Sequence, residues 1–417
     1  MEGTKPVYRV YGYRWVVLAV YLLITATIQL LWATFFSVTT TAWKFYGFTE
    51  AAKGENAISL LSIIFMAGMI VLSIPSMAAF EKWGFKKSVG FGAVLMGVCG
   101  VLRGVFGASY AAVVVMTVGF SVAQPFILNA PGLVAGKWFP ENERATANGA
   151  GLLANYLGMA VGLLLTPVLL ARGLSVKGVL LAYGAAAGVA AILFVLLARE
   201  QPLTPPCSAQ EAERADFKAG FKAAVKKRNF LTCILIFFCM LGVFNTFFTM
   251  IEPLIGSMTD GRVDATGAGI VGVVILAAGI AGSLVIAMLS DRDRLRRRLP
   301  YLILANVVGL AGLVLFMLLG SFAGMIAAGV LYGFFTIGSA PVLLTFAAEE
   351  AYPTSEGTSE GLMMFAGNVG GVILLGLASL LSGNHLAIMV CMTVISGLCV
   401  ARMLFIRETK LLKKISK

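Results

Sequence analysis

Charge is scarce in this chain: Asp, Glu, Lys and Arg make up only 12% of its 417 residues. A soluble fold of that size could not cover its core with so few, since about a quarter of an ordinary globular sequence is charged. Histidine is reduced to one residue, His385, and a single imidazole cannot build a metal site. The six cysteines (Cys99, Cys207, Cys233, Cys239, Cys391 and Cys399) show no CxxC spacing. They read as packing residues, which leaves no zinc or dithiol centre to expect. HExxH and the phosphate-binding Gly-rich loop are absent, and no nucleophile–base pair can be assembled, so an enzyme is not expected. Polar–apolar alternation is missing too, which excludes a β-barrel. No cofactor or metal is implied.

What is present is apolar length. Hydrophobic residues reach 59% and the mean hydropathy is +0.91. Twelve runs, near 15–40, 57–80, 87–107, 110–137, 144–170, 177–198, 229–252, 266–290, 299–319, 322–347, 358–381 and 385–405, each approach the roughly 20 residues that a helix needs to span hydrocarbon. The fold expected is an all-α membrane protein, twelve transmembrane helices in two six-helix bundles. The first run is too long for a removed signal peptide and reads as a retained helix.

Orientation follows from Lys and Arg. With both termini in the cytoplasm, 26 of the 32 basic residues fall on that side; Lys44, Lys53, Arg103, Arg172, Lys177 and Arg262 are the others. This asymmetry is the positive-inside pattern. It accounts for the net charge of +12 as a basic face against anionic lipid, without nucleic acid. Arg103, high in the third run, is expected to snorkel to the outer headgroups. Short tails without extra domains suggest a prokaryotic inner membrane, and a monomer is expected.

The organisation is two-fold. Residues 1–199 and 229–417 form two six-run halves, and 200–228 links them. Within the linker, Gln201–Pro206 is a Pro-rich stop, and charges alternate from Ala209 to Arg228 with Phe217 and Phe221 on one face. That pattern predicts a short amphipathic helix on the membrane surface. Glu81-Lys82-Trp83-Gly84-Phe85-Lys86-Lys87 after the second run is matched by Asp291-Arg292-Asp293-Arg294-Leu295-Arg296-Arg297-Arg298 after the eighth. Phe139-Pro140-Glu141-Asn142-Glu143 before the fifth run is likewise matched by Tyr352-Pro353-Thr354-Ser355-Glu356 before the eleventh. Two matches at an offset near 210 residues signal a duplicated six-helix unit. Pro in each forces a turn, a small polar residue caps the next helix, and Glu faces its positive end.

A six-plus-six repeat with an acidic-then-basic loop after runs 2 and 8 resembles the major facilitator superfamily. Glu81 stands where that family's signature usually has Asp, and Lys86-Lys87 replace an Arg-Lys pair. A narrower resemblance is to the feline leukaemia virus subgroup C receptor-related transporters, a branch associated with choline, ethanolamine and haem. It is carried by Ser121-Val-Ala-Gln124-Pro-Phe-Ile-Leu-Asn129-Ala-Pro131 with Lys137-Trp138-Phe139 and Asn155-Tyr156-Leu157-Gly158, and by Tyr352-Pro353 with Glu356-Gly357-Thr358-Ser359-Glu360-Gly361-Leu362. The resemblance implies an alternating-access carrier whose cavity is lined by spans 1, 4, 7 and 10 and flanked by 2, 5, 8 and 11.

The polar residues that fall there are Gln29 and Trp32 in span 1, Gln124 and Asn129 in span 4, and Asn155 and Tyr156 in span 5. Asn245 and Thr246 follow in span 7, Tyr332 and Thr336 in span 10, and Asn368 in span 11. At about 1.5 Å per residue, four carboxamides (Gln29, Gln124, Asn245 and Asn368) lie within one or two turns of mid-depth. No ionisable residue joins them. Carboxamides donate and accept, and aromatic faces attract cations without carrying charge, so the expected solute is neutral, zwitterionic or a soft organic cation. Carboxamides between helices also serve as plain interhelical glue. In the resembled branch a choline site uses a Trp directly after the span 1 Gln, a span 4 Gln, a span 7 Tyr and a span 11 Gln. Gln124 matches; Leu30, Asn245 and Asn368 depart, and Trp32 lies two residues beyond the family's Trp. Facilitated diffusion is the first expectation, with a proton-coupled carrier of haem or a vitamin-like cofactor as one alternative and a transport-dead receptor or sensor as another. Glu81, Lys86, Lys87, Asp291, Arg292, Glu349 and Glu350 are expected to form an inward-side gate of exchangeable ion pairs. Glycines in spans 2, 5, 8 and 11, among them Gly68, Gly158, Gly279, Gly282 and Gly370, are expected at seams between the halves.

Overall fold

The computed structural model describes residues 9–204, 206, 226–292, 297–352, 354 and 356–406. The expected surface helix at 209–228 lies almost wholly outside these residues, as do Asp293–Arg296, Pro353 and Ser355. All regular structure among the described residues is helical. This is what a chain must do in lipid, where each backbone N–H and C=O needs a partner within its own segment.

Eleven helices among the described residues are long and apolar enough to cross a bilayer. The longest, Ala51–Val105, runs for 55 residues and breaks direction at Gly84, with φ 79° and ψ −178°. It supplies two crossings, so the expected count of twelve stands. The difference from the sequence expectation is local: residues 81–86 make no open loop, because one residue absorbs the whole reversal. Only glycine enters that φ region at little cost. The other spans are Arg14–Ala33, Tyr110–Leu128 extended by Pro131–Trp138, Glu141–Ala171, Val176–Leu197, Arg228–Thr249, Ala265–Arg292, Leu299–Leu318, Phe322–Ala351, Glu356–Leu380 and His385–Met403. Span 7 ends at Thr249, earlier than expected, and a separate short helix, Ile251–Met258, follows. Span 10 contains a single π-helical turn, Tyr332–Ile337, between two α-helical pieces.

The chain forms two compact units. The first holds Met1–Phe35, Lys44–Gly47 and Leu60–Glu213; the second holds Phe36–Trp43, Phe48–Ser59 and Arg214–Lys417. Duplication is visible inside them. Ser109 and Ser321, 212 residues apart, cap spans 4 and 10 by accepting the N–H of Ala112 and Gly324. A Cβ on Gly158 would collide with the carbonyl oxygen of Ala26, and one on Gly370 would collide with that of Phe238. Both members of this contact are displaced by 212 residues. Spans 1 and 5, and spans 7 and 11, therefore pack backbone to backbone, as small residues allow where no water drives association. Gly68 against Ser121 and Gly282 against Phe334 repeat the theme for spans 2 and 4 and for spans 8 and 10. These glycines thus make their close contacts within a unit, which corrects the expectation of seams between the halves.

The turn before span 5 also differs in detail. Pro140 occupies the cap position with no side-chain cap bond. Glu143 meets Arg14 through Nε–Oε2 at 3.1 Å and a second guanidinium contact at 3.3 Å. A forked ion pair replaces the expected helix-end contact, and it fastens the start of span 5 to the start of span 1.

Candidate functional site

In the first unit, Trp32 from span 1 stacks on Phe65 from span 2, with ring centroids 5.4 Å apart and planes 12° from parallel. Gln124 from span 4 donates its Nε2 to the carbonyl oxygen of the same Phe65 at 3.1 Å. Its side chain is 3% exposed. One residue of span 2 thereby gathers the aromatic and the carboxamide that the sequence placed in different spans. The carboxamide oxygens of Gln29 and Asn155 are buried without a hydrogen-bond partner among the described residues. An unpaired buried acceptor costs about 1–3 kcal/mol, so both are poised to receive a donor. Aromatic rings attract ammonium groups, and carboxamide oxygens accept from ammonium or hydroxyl hydrogens. Leu30 packs against the hydrophobic core of the unit.

Other expected site residues are occupied. Asn129 donates to Ser76 Oγ at 3.1 Å and Ser73 Oγ at 3.4 Å, which ties span 4 to span 2. Thr246 Oγ1 donates to Gly242 O, and Asn368 Nδ2 donates to Met364 O, both within their own helices at 2.9 Å. Asn245 is buried and Tyr156 half-buried.

Tyr332 and Thr336 lie on the π-helical turn of span 10 in the second unit. They line a cavity of about 10 Å³ with Asn306, Ser396, Cys239 and Cys399, room for about one water. The Tyr332 hydroxyl is buried without a partner among the described residues. Its ring packs on Phe247 at 5.6 Å, which in turn meets Phe316 at 5.2 Å.

The expected gate resolves into contacts inside each unit. In the second, Arg298 bridges Asp291 at 2.9 Å and Glu349 at 2.8 Å; these two carboxylates outweigh burial and hold its guanidinium above its ordinary range. Glu350 accepts from Asn229 at 2.9 Å. Arg292 and Glu81 are exposed, and Lys87 as well, with no ion pair to any of the three among the described residues. In the first unit the organising acid is Glu200, which sequence reasoning missed. It accepts the N–H groups of Phe85 at 2.9 Å and Lys86 at 2.6 Å, and it pairs with Lys137. Lys86 thus takes part through its backbone.

Two further groups carried no local signal. Arg103 is 3% exposed, which corrects the expectation that it reaches the headgroups. It donates Nη1 to Leu31 O at 2.9 Å and sits over Phe35 at 5.0 Å and Phe120 at 5.4 Å. Arg103→Ala is expected to lower stability by about 2–4 kcal/mol, from a lost hydrogen bond, two cation–π contacts and a cavity; thermal shift of the purified protein measures it. In the second unit, Glu55 from the start of span 2 receives His385 Nε2 at 3.0 Å on both oxygens. Glu252 accepts from the N–H and the hydroxyl of Thr40, each at 3.0 Å.

Residues 21–375 match the model of the Major Facilitator Superfamily. The chain is 29% identical to the choline/ethanolamine transporter flvcr2b of Danio rerio over 391 residues, covering 89% of this chain and 78% of that one. It is 28% identical to the choline/ethanolamine transporter FLVCR2 of Homo sapiens over 379 residues, or 86% of this chain and 70% of the other. Among solved structures, a bacterial homologue of the human lysosomal transporter Spinster superposes with a TM-score of 0.69 at 16% identity, covering 97% of this chain and 95% of that one; this likeness concerns the fold alone. Twelve helical crossings, a duplicated six-span unit and a family match over most of the chain agree: the protein is a multi-pass membrane transporter of the major facilitator superfamily, not an enzyme.

Proposed function

We propose that this chain carries a small organic cation or zwitterion of the choline and ethanolamine class by alternating access, as a facilitator. The observation that carries the reading is the stack of Trp32 on Phe65 with Gln124 fastened to Phe65. A quaternary ammonium is recognised by aromatic faces, worth about 0.5–2 kcal/mol each, and the free acceptors of Gln29 and Asn155 would serve a hydroxyl or ammonium hydrogen. Trp32 stands about 200° around the helix from Leu30, which holds the family's Trp position, so its ring would meet the solute from a different side of span 1. The similarity to choline/ethanolamine transporters over most of the chain supports the same substrate class. Thr246, Asn245, Tyr332, Thr336 and Asn368 would contribute from the 229–417 repeat, and Tyr156 and Asn129 from the 1–199 repeat, with 200–228 as the connector.

The Lys and Arg distribution supports cytoplasmic termini; a prokaryotic inner membrane and a monomeric carrier belong to the same proposal. The contacts of Asp291 and Glu349 with Arg298 and of Glu350 with Asn229 would then belong to the cytoplasmic side and bias the states of the cycle, with Glu81, Lys86, Lys87 and Arg292 adding charge there.

Uptake of radiolabelled choline into proteoliposomes tests this. Saturable uptake is expected, reduced by about ten-fold in Trp32→Ala and in Gln124→Ala through weaker binding. A pH gradient is expected to leave the equilibrium level of choline unchanged. No uptake by folded protein retires the alkylammonium reading.

A further inference from the structure

The one histidine of the chain is held by a carboxylate from the far end of the sequence. His385 opens span 12 and Glu55 lies at the start of span 2. Both oxygens of Glu55 stand 3.0 Å from His385 Nε2, and the carboxylate side chain is 5% exposed. Beside it, Ser382 hydrogen-bonds Asn56. A second acid completes the cluster: Glu252, on Ile251–Met258, interacts electrostatically with both Glu55 and His385. Burial pushes its carboxyl upward, against the two hydrogen bonds from Thr40.

Other charges on neighbouring segments have partners of their own. Lys53 pairs with Glu50 at 2.8 Å in solvent, and Arg262 pairs with Asp260 at 3.4 Å in solvent. Asp264 accepts the N–H of Gly267, and Lys44 closes Thr39–Phe45. Buried Glu55 therefore meets the imidazole directly, with half-buried Glu252 as the second acid of the cluster. A buried carboxylate without a counter-charge is costly, and histidine is the side chain whose charge changes between about pH 5 and 8.

We propose that Glu55 and His385 form a proton-binding latch on the external side, closed when His385 carries a proton and released when it gives that proton up. This rests on the orientation and alternating access proposed above. The helix that begins at Ala51 leaves the second unit after Ser59 and continues in the first. Outward opening in the proposed cycle withdraws its first turns from His385. Closing binds one external proton to the imidazole; opening returns it to the same side. The proton never crosses, so external pH sets the rate of the cycle without driving accumulation.

The test is amide hydrogen exchange of Ala51–Ser59 in the purified full chain at pH 5.5 and 8.5, corrected for intrinsic exchange rates. The wild type is expected to exchange about ten-fold faster at pH 8.5, the loss of one charge-assisted hydrogen bond. His385→Lys, which keeps the charge across this range, should stay protected at both values, and His385→Gln should exchange fast at both. Equal protection of the wild type at the two values overturns the latch, as does a wild-type pH response surviving in His385→Gln. In proteoliposomes, choline entry should respond to external and not internal pH; the opposite sidedness overturns the external assignment. If choline is not carried, the exchange experiment still decides the latch, so the two failures remain distinguishable.

Discussion

Gly158→Leu is expected to yield almost no folded protein, while Gly149→Leu nine residues earlier on the same helix is tolerated. The neighbour of Gly158 is the backbone of Ala26, which cannot rotate aside as a side chain can. Overpacking ordinarily costs about 1–3 kcal/mol, and a clash with fixed carbonyl atoms is expected to exceed about 3 kcal/mol because spans 1 and 5 must part along their whole contact. Gly149 is exposed and has nothing within 4 Å of its missing Cβ. Gly370→Leu, at the duplicated position against Phe238, should fail as Gly158→Leu does. Detergent-solubilised yield and the melting point of the monodisperse peak distinguish the cases. Equal yields for Gly158→Leu and Gly149→Leu would refute the backbone contact.

Glu200→Ala ranks second. Its carboxylate accepts two backbone N–H groups at the helical restart after Gly84 and neutralises Lys137. A helix start favours an anion both through its unpaired N–H groups and through its dipole. The group is part-exposed, so screening reduces the benefit, and removal is expected to cost about 2 kcal/mol. The pH dependence has a definite sign. Burial pushes the carboxyl upward, but the Lys137 contact and the N–H groups of Lys86 and Phe85 outweigh it and hold the group below its ordinary range. Its stabilisation is therefore complete above the unfolded value, about 4.3, and is lost as pH falls through the lower folded value. The melting point of the wild type should drop more steeply below about pH 4.3 than that of Glu200→Gln. Parallel curves would remove Glu200 from this role. Gly84→Ala should destabilise the same corner, since its φ of 79° is strained for any side chain and the added methyl would crowd Glu200.

Hydropathy made the twelve crossings legible, because lipid leaves the backbone no choice but helix and the required length is fixed by the bilayer. The duplication was equally legible, since Pro140 and Pro353, and the charged turns after runs 2 and 8, recur at nearly constant offset. The candidate site was half legible. Gln124 and Trp32 were identifiable as polar and aromatic residues at depth, but their common partner was not, because Phe65 is an apolar residue in an apolar run. Nor did Thr246 or Asn368 reveal that they spend their hydrogens on their own helices. Arg103 illustrates the limit most clearly. Its position near a helix end fits a snorkelling residue, and the rings of Phe35 and Phe120 with the carbonyl of Leu31, none of them adjacent in sequence, make burial tolerable. Glu200 and Glu55 share that limit: their partners lie 114 and 330 residues away, and no local pattern encodes such a pairing.

The pairing of Glu55 with His385 also sets a clock on biosynthesis. The two are 330 residues apart, and chains grow at about 5–20 residues per second, so Glu55 waits roughly 15–65 s before its partner is even made. Phe36–Trp43 and Phe48–Ser59, which belong to the second unit, wait with it. During that interval the nascent first half holds an acid with no imidazole to meet, so the earliest inserted spans cannot adopt their final arrangement. Premature termination before span 12 would leave them permanently unfinished, a defect for quality-control proteases to recognise in a chain whose first eleven spans have all been made.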